Sequence, residues 1–291
     1  MVVDGPLPDR LAGSLDLIPC LILGADPDPL VDTVVDSEDL ELIESVARRN
    51  PRALVATALL LRGVTTRTIE QSLVAESTTY SLLQGGPEFG AWRESRARPD
   101  GVRAEGSDEV LVERFGHRLE IELNRPDRRN AYSRRMREQL AEALTIAVVD
   151  ESVSSVVIRG RGRNFSSGGD LDEFGSFIDP VSAHMSRLTS SVAQMLHRLR
   201  IRLGEELVCE VHGANFGAGV ELPAFCGRVT ARADTTMCLP EVSLGLVPGA
   251  GGTAGISARI GRQRTALMSF TAKTIDAHTA LSWGLIDEIV P

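Results

Sequence analysis

The most constraining feature of this sequence is a strand-like run followed by a Gly-rich loop, a pattern that occurs twice in its second half. Residues 154–159 form a short run rich in β-branched side chains, and a loop rich in Gly and Ser follows it. A strand-like run, a Gly-rich loop and the start of a helix recur in the same order over residues 206–223. Because strands that alternate with helices bury their faces against those helices, this repetition predicts a layered α/β domain.

A polar stretch separates this domain from a region of different texture. Residues 98–109 combine Pro, Gly and charged side chains, which is typical of a linker. Before it, apolar residues recur at helical spacing in three segments, and Ser37 and Thr66 are the predicted N-caps. The sequence therefore predicts a mostly helical region over residues 1–97, a linker over 98–109 and the α/β domain over 110–291. The three helical segments are residues 39–48, 51–62 and 68–84.

The α/β domain opens with a predicted hairpin and a helix. Residues 110–115 and 118–123 alternate between apolar and polar side chains on either side of Gly116 and His117. Residues 133–149 carry apolar side chains on one helical face.

Composition excludes several classes of function. Acidic residues outnumber basic ones by 40 to 31 and only 4% of residues are aromatic, so we expect no nucleic-acid partner. The cysteines show no CxxC spacing and no His-rich neighbourhood, so we expect neither a metal site nor disulfides, which fits a cytoplasmic location. The most apolar early stretch, residues 17–25, is too short to span a bilayer and follows acidic residues, so we expect no membrane partner. The four cysteines are Cys20, Cys209, Cys226 and Cys238.

Three polar or Gly-rich segments follow one another along the α/β domain. They read LNRPDRRNAY at residues 123–132, RGRNFSSGGDLDEF at 161–174, and HGANFGAGVEL at 212–222 leading into LPEVSLGLVPGAGGT at 239–253. Together they resemble the enoyl-CoA hydratase/isomerase superfamily, also called crotonases. The resemblance implies an α/β fold whose core is a crotonase-like spiral of repeated ββα units, with an α-helical layer.

The helical layer of that family normally follows the core, and here it is expected to precede it. The sequence ends at LIDEIV, residues 285–290, where a usual family member would continue into helices. Residues 30–35, LVDTVV, resemble that ending, and the residues after them are similar to the family's tail. We infer a circular permutation, or the remnant of a tandem duplication, in which residues 30–97 supply the layer from the front. The alternative is an unrelated helical extension.

The resemblance assigns the chemistry to two backbone amides and two carboxylates. Hydration of an enoyl thioester places negative charge on the thioester oxygen, which the amides of Gly169 and Ala218 would stabilise. Glu221 and Glu241 match the family's catalytic glutamates. Glu221 would mainly activate water and Glu241 would mainly exchange the proton at the α-carbon. The pair favours a hydratase over an isomerase, and over the dioxygenases of dihydroxyphenylacetyl-CoA, which also carry a helical region before the core.

The resemblance also predicts the contacts to CoA and the assembly. CoA is part of the acyl-CoA substrate, so we expect no separate cofactor and no metal. Arg161 and Arg163 could also meet the CoA phosphates. The family's tail has a Lys three positions after an aromatic residue, whereas this chain has Ser95 there and Arg96 next to it. Family members commonly form trimers or pairs of trimers, so we expect the same here. The residues expected to contact CoA are Trp92, Arg128, Arg129, Ala131, Ser167, Asp170 and Leu171.

Some features leave the function open. Pro223 is expected to distort the helix that carries Glu221, and Gly227, which replaces a common Asp, is expected to loosen the end of that helix. His212 is expected to have a structural role in its loop. Isomerisation, oxygenation and non-catalytic binding of acyl-CoA stay as alternatives to hydration.

Overall fold

The computed structural model describes residues 18–96, 108–174 and 179–291, together with positions 2, 3, 5, 7 and 14. We call residues 18–96 the helical region and residues 108–291 the core. Three two-residue strands in the N-terminal part form a small parallel sheet: β1 (Val2–Val3), β2 (Leu23–Gly24) and β3 (Thr33–Val34). Four helices follow: α1 (Ser37–Arg49), α2 (Pro51–Arg62), α3 (Ile69–Gln84) and α4 (Pro87–Ser95).

The caps of α1 and α3 differ from the predicted ones. The Asp36 carboxylate, not Ser37, accepts the amide of Asp39 and caps α1. Thr68, not Thr66, caps α3, because Thr66 instead closes the 3-10 turn that ends α2. Both predicted caps were wrong by one or two residues, since neighbouring polar residues compete for the same role.

A six-stranded sheet forms the centre of the core. Its strand order is β12-β9-β7-β6-β5-β4, parallel except for the antiparallel hairpin of β4 and β5. A smaller sheet has the order β11-β10-β8. The strands are β4 (Val110–Phe115), β5 (Arg118–Leu123), β6 (Ser155–Gly160), β7 (Leu207–Val211), β8 (Ala214–Phe216), β9 (Arg228–Arg232), β10 (Thr236–Cys238), β11 (Ile275–Asp276) and β12 (Glu288–Val290).

Helices flank these sheets, as the α/β prediction requires. The predicted hairpin coincides with β4 and β5, and Ser133 caps the predicted helix by accepting the amide of Met136. The layered α/β prediction is confirmed. The helices are α5 (Arg134–Val149), α6 (Pro180–Thr189), α7 (Val192–Leu203), α8 (Ala218–Glu221), α9 (Gly252–Ile260), α10 (Arg262–Thr271) and α11 (Ala277–Trp283).

The helical region and the core share one hydrophobic cluster. Leu61 of α2 and Phe89 of α4 are buried together with Val242, Leu246 and Phe270 of the core. Full burial of each such side chain contributes about 1.5–3 kcal/mol, so the two regions are held together strongly. The predicted linker falls almost entirely on residues 97–107, outside the described residues. No helix in the described ranges is long and apolar enough to cross a membrane.

Candidate active site

A cavity of about 170 Å³ lies where the helical region meets the core. Its wall contains all four positions predicted to be catalytic, namely Gly169, Ala218, Glu221 and Glu241. The helical region contributes Glu76 and other side chains of α3 to the same wall. The structure therefore brings the predicted amides and carboxylates to one space, although their chemical roles stay predictions.

The two predicted amide donors lie on loops in direct contact. Gly168 has a φ of +83°, and a side chain there would collide with the carbonyl oxygen of Phe216 and lie 3.5 Å from the nitrogen of Gly217. Only glycine permits both this backbone angle and this approach. In the described part of the chain, no carbonyl or side chain accepts the amide of Gly169 or Ala218. Both N–H groups can therefore donate to a ligand in the cavity.

The two carboxylates meet at Gly217, which precedes α8. A methyl group on Gly217 would collide with Oε1 of Glu241 and would lie 3.8 Å from Oε1 of Glu221. Glu241 lies in the 3-10 turn Glu241–Leu244 and is 8% exposed. Its buried Oε2 has no hydrogen-bond partner among the described residues. A buried carboxyl oxygen without a partner is costly, which is typical of a group that acts on a ligand.

The loop before α9 holds the carboxylate of Glu221. Its Oε2 accepts the amides of Ala250 and Gly252, each at 2.8 Å. Helix α8 ends at Glu221, and Pro223 opens the 3-10 turn Pro223–Phe225. The distortion expected from Pro223 is therefore present, and the loop fixes the position of the carboxylate.

Glu76 is a third buried carboxylate at this site, and the sequence analysis gave it no role. It is 2% exposed and accepts the amides of Gly251 at 2.6 Å and Thr253 at 2.9 Å, and the Thr253 hydroxyl at 2.5 Å. The amides of residues 250 to 253 thus alternate between Glu221 and Glu76. One sequence signal existed, because Glu76 lies at helical spacing between Leu73 and Tyr80, which are buried.

Burial raises the proton affinity of these acids. It raises the pKa of Glu221 to about 7, although the amides of the loop oppose the shift. Burial, and then repulsion from Glu221, raise the pKa of Glu76 to about 8 and the pKa of Glu241 well above its ordinary value. Raised pKa values of this kind allow buried carboxyl groups to exchange protons near neutral pH.

The residues predicted to contact CoA lie around the first Gly-rich loop. Arg128 is exposed and pairs with Asp172, and Arg129 is exposed as well. Ala131 is buried, Ser167 is half-buried, and Leu171 is 39% exposed. Asp170 lines the cavity, but its carboxylate is buried and pairs with Arg125 at 2.8 Å. Asp170 can therefore offer CoA little more than its backbone, and the CoA contacts stay predictions.

Trp92 belongs to an aromatic cluster at the edge of this loop. Its ring stacks on Phe89 at 5.5 Å and lies 6.0 Å from the ring of Phe174, which abuts Gly169. The guanidinium of Arg96 lies 5.7 Å from the centre of the Trp92 ring and 3.2 Å from Asp172. Arg96 and Arg128 therefore meet at one carboxylate, which the sequence analysis did not single out.

Three further expectations can be compared with the structure. Nε2 of His212 lies 2.9 Å from the carbonyl oxygen of Gly162, in agreement with a structural role. A side chain at Gly227 would collide with the carbonyl of Gly204, so this position requires glycine, and its expected loosening of the helix end stays a prediction. Among the described residues, no group of three or more His, Cys, Asp or Glu side chains is placed to hold a metal ion.

The fold and the cavity define a crotonase-like α/β protein, and comparison with known proteins agrees. The family model described as enoyl-CoA hydratase/isomerase matches residues 118–291, more than half of the sequence, and the chain belongs to this family. It is 33% identical over 183 residues to 2,3-dehydroadipyl-CoA hydratase of Escherichia coli, covering 63% of this chain and 69% of that protein. It is 32% identical over 157 residues to a probable enoyl-CoA hydratase of Bacillus subtilis, covering 54% of this chain and 60% of that protein.

Solved structures confirm the predicted fold class. An enoyl-CoA hydratase from Thermoplasma volcanium aligns with a TM-score of 0.57 and 32% identity, over 63% of this chain and 72% of that one. A putative enoyl-CoA hydratase from Thermobifida fusca in complex with acetoacetyl-CoA aligns with a TM-score of 0.55 and 30% identity, over 63% and 74%. The family match begins at residue 118, so the permutation inferred for residues 30–97 stays a prediction.

Proposed function

We propose that this chain is an enoyl-CoA hydratase-like lyase, which adds water to, or removes it from, an α,β-unsaturated acyl-CoA thioester. The observation that carries the proposal is the meeting of Glu221 and Glu241 at Gly217, beside the unoccupied amides of Gly169 and Ala218.

The proposed reaction uses each of these groups once. The thioester oxygen accepts hydrogen bonds from the amides of Gly169 and Ala218, which stabilise the enolate-like charge as it develops. Glu221 and Glu241 hold a water molecule between them. Glu221 takes a proton from this water as its oxygen attacks the β-carbon, and Glu241 gives a proton to the α-carbon. Dehydration is the same sequence reversed.

Two observations favour hydration over the other reactions of the family. Moving a double bond requires one group that removes a proton and returns it, whereas adding water requires the transfer of two protons at different positions. The cavity offers two carboxylates for this purpose, Glu221 and Glu241. The Escherichia coli and Bacillus subtilis relatives both carry the name of a hydratase.

The proposal is tested by product analysis on crotonyl-CoA with the full-length chain. The expected result is loss of the absorbance of the conjugated thioester and a product heavier by one water molecule. In Glu241→Gln we expect kcat to fall by about 10²–10⁴-fold, the usual contribution of a general acid or base. Glu138→Gln, a change of the same kind at an exposed position of α5, is the matched control and keeps full activity.

The other outcomes identify the alternatives. A product of unchanged mass with a moved double bond would indicate an isomerase, and a product with added oxygen atoms would indicate an oxygenase. Tight binding of acyl-CoA without turnover on any chain length would indicate a non-catalytic subunit. Full activity in Glu241→Gln would overturn the role assigned to that residue.

A further inference from the structure

The cavity has a basic wall that the proposed mechanism does not use. Arg137 of α5 and Arg187 of α6 both line it, together with polar and aromatic side chains of α3. Neither arginine was predicted to contact CoA, and neither belongs to the motifs that resemble the family.

The side chains that accept hydrogen bonds from Arg187 are neutral. Its guanidinium donates to the side-chain oxygens of Ser77 and Gln84, each at 3.3 Å, and to the hydroxyl of Ser81. It lies 4.5 Å from the centre of the Tyr80 ring. None of the described carboxylates is within ion-pair distance of it. By contrast, Arg125 forms ion pairs with Glu109 and Asp170.

Arg137 adds a second cation that also lacks a carboxylate partner among the described residues. One of its terminal nitrogens donates to the Ser186 hydroxyl at 2.9 Å. Its Nε is buried and has no acceptor in the part of the chain that the structure describes. Burial and then, among smaller effects, repulsion from Arg137 lower the pKa of Arg187, while Tyr80 and Glu76 oppose the shift. Both arginines line the same cavity, and Arg137 binds the hydroxyl of the residue that precedes Arg187, so the two cations can share one anion.

The chemistry of the acyl group determines whether the guanidinium groups of Arg137 and Arg187 gain hydrogen-bond acceptors when the substrate binds. A plain alkyl chain would displace water from two guanidinium groups and offer nothing in return, which is costly. A carboxylate would accept charge-assisted hydrogen bonds from both, in the planar geometry that guanidinium groups favour. Leu73, Tyr132 and Leu188 supply apolar surface in the same cavity for the carbons between the thioester and the anion.

We propose that the acyl group of the substrate carries a carboxylate that binds Arg187 and Arg137, so that the substrates are thioesters of dicarboxylic acids. This inference rests on the proposed function and specifies its substrate class.

A binding experiment tests the site without any turnover. Adipyl-CoA and hexanoyl-CoA have the same length and differ in the terminal carboxylate, and both are saturated. We expect calorimetry to show that the full-length chain binds adipyl-CoA at least 10-fold more tightly, which corresponds to about 1.4 kcal/mol. The ratio of the Kd for hexanoyl-CoA to the Kd for adipyl-CoA should fall towards 1 in Arg187→Met and in Arg137→Met. Arg187→Lys should keep part of this preference. Arg198→Met, at an exposed position of α7, should keep the full preference.

A kinetic experiment separates failure of this inference from failure of the proposed function. The kcat/KM for hex-2-enoyl-CoA is compared with that for the 2-enoyl-CoA of equal length that ends in a carboxylate. A ratio of at least 10 in favour of the carboxylate, reduced in Arg187→Met, supports the inference. Equal values with efficient hydration of both would overturn the inference and leave the proposed function intact. Hydration of neither would overturn the proposed function, and the binding preference would then decide the inference alone.

Discussion

The helical region and the core each contain an arginine near the end of a helix that clamps two carbonyl oxygens and a carboxylate. In the core, Arg259 of α9 donates to the carbonyls of Ala224 and Cys226 and pairs with Asp287 at 3.0 Å. In the helical region, Arg62 of α2 donates to the carbonyls of Ile18 and Cys20 and pairs with Asp32 at 2.7 Å.

The two carboxylates also lie in the segments whose sequences resemble each other. Asp32 belongs to LVDTVV and accepts the amide of Ile22 beside β2, and Asp287 belongs to LIDEIV and accepts the amide of Val229 in β9. The matching contacts of Asp32 and Asp287, added to the similarity of their sequences, support the interpretation that the helical region is the remnant of a duplicated core and tail.

The two arginine–aspartate pairs, which we call the two anchors, differ in their surroundings. Asp287 is 40% exposed and is followed by β12, which joins the six-stranded sheet. Asp32 is 2% exposed, and β3 joins a small sheet of its own. The same arrangement of an arginine, two carbonyl oxygens and a carboxylate therefore occurs beside the small N-terminal sheet and beside the six-stranded sheet. In the helical region the carboxylate has no water to replace a lost partner, so we expect that ion pair to matter more for stability.

The largest predicted effect is on this buried pair. Arg62→Met leaves the Asp32 carboxylate buried without its cation, and we expect a loss of about 3–5 kcal/mol in the free energy of unfolding. Arg259→Met, the matched change in the core, leaves Asp287 in contact with water and should cost about 1–3 kcal/mol. Urea unfolding followed by circular dichroism measures both. Equal losses would show that the two anchors do not differ as proposed.

The second prediction concerns the acid that the helical region contributes to the cavity. The pKa of Glu76 is raised in the folded state to about 8, from an ordinary value of 4.5. The folded state therefore binds this proton more tightly, so the group lowers stability as pH rises from about 4.5 to about 8, with no further change above. We expect Glu76→Gln to flatten the pH dependence in that window by up to about 1.4 kcal/mol per pH unit.

Urea unfolding at pH 5, 6, 7 and 8 measures this slope. Glu94→Gln, at an exposed position of α4, is the control and should keep the slope of the unmodified chain. An unchanged slope in Glu76→Gln would contradict the assignment of a bound proton to Glu76 in the folded state.

The smallest predicted effect is on CoA affinity at the edge of the cavity. Arg96 of the helical region and Arg128 of the core share Asp172, and Arg96 stands next to the position where the family has Lys. We expect Arg96→Gln to raise the Kd for CoA by about 2–5-fold, because the group is 37% exposed and screened by water. Arg93→Gln, in the last turn of α4 just before Arg96, is the control. An unchanged Kd in Arg96→Gln would show that Arg96 does not contribute to CoA binding and would leave the contacts to the CoA phosphates to residues of the core.

The sequence predicted local elements well in both regions: the predicted segment 51–62 coincides with α2, and the segment 68–84 differs from α3 by one residue. Alternation and glycine placement locate β4, β5 and α5 almost to the residue, because these patterns depend on neighbours in the chain. The four positions predicted to be catalytic lie in short motifs and line one cavity, while their roles stay predictions. The caps of α1 and α3 were missed because Asp36 and Thr68 compete with equally suitable neighbours.

The roles of Glu76 and Arg187 depend on contacts between distant parts of the chain. Glu76 binds amides of residues 251 and 253, and Arg187 binds side chains of α3. No local pattern specifies such pairings, so only the three-dimensional structure could assign them. Arg187 in the sequence looks like an ordinary surface charge near the end of an amphipathic helix.

The position of the helical region ahead of the core has a consequence for biosynthesis. The apolar faces that carry Leu61 and Phe89 leave the ribosome first, whereas their partners Val242 and Phe270 are made much later. At ordinary elongation rates the delay is on the order of ten seconds. During that interval the helices can cover these side chains only in part, through partners such as Ile43 and Tyr80 of the same region. We therefore expect the nascent chain to bind ribosome-associated chaperones.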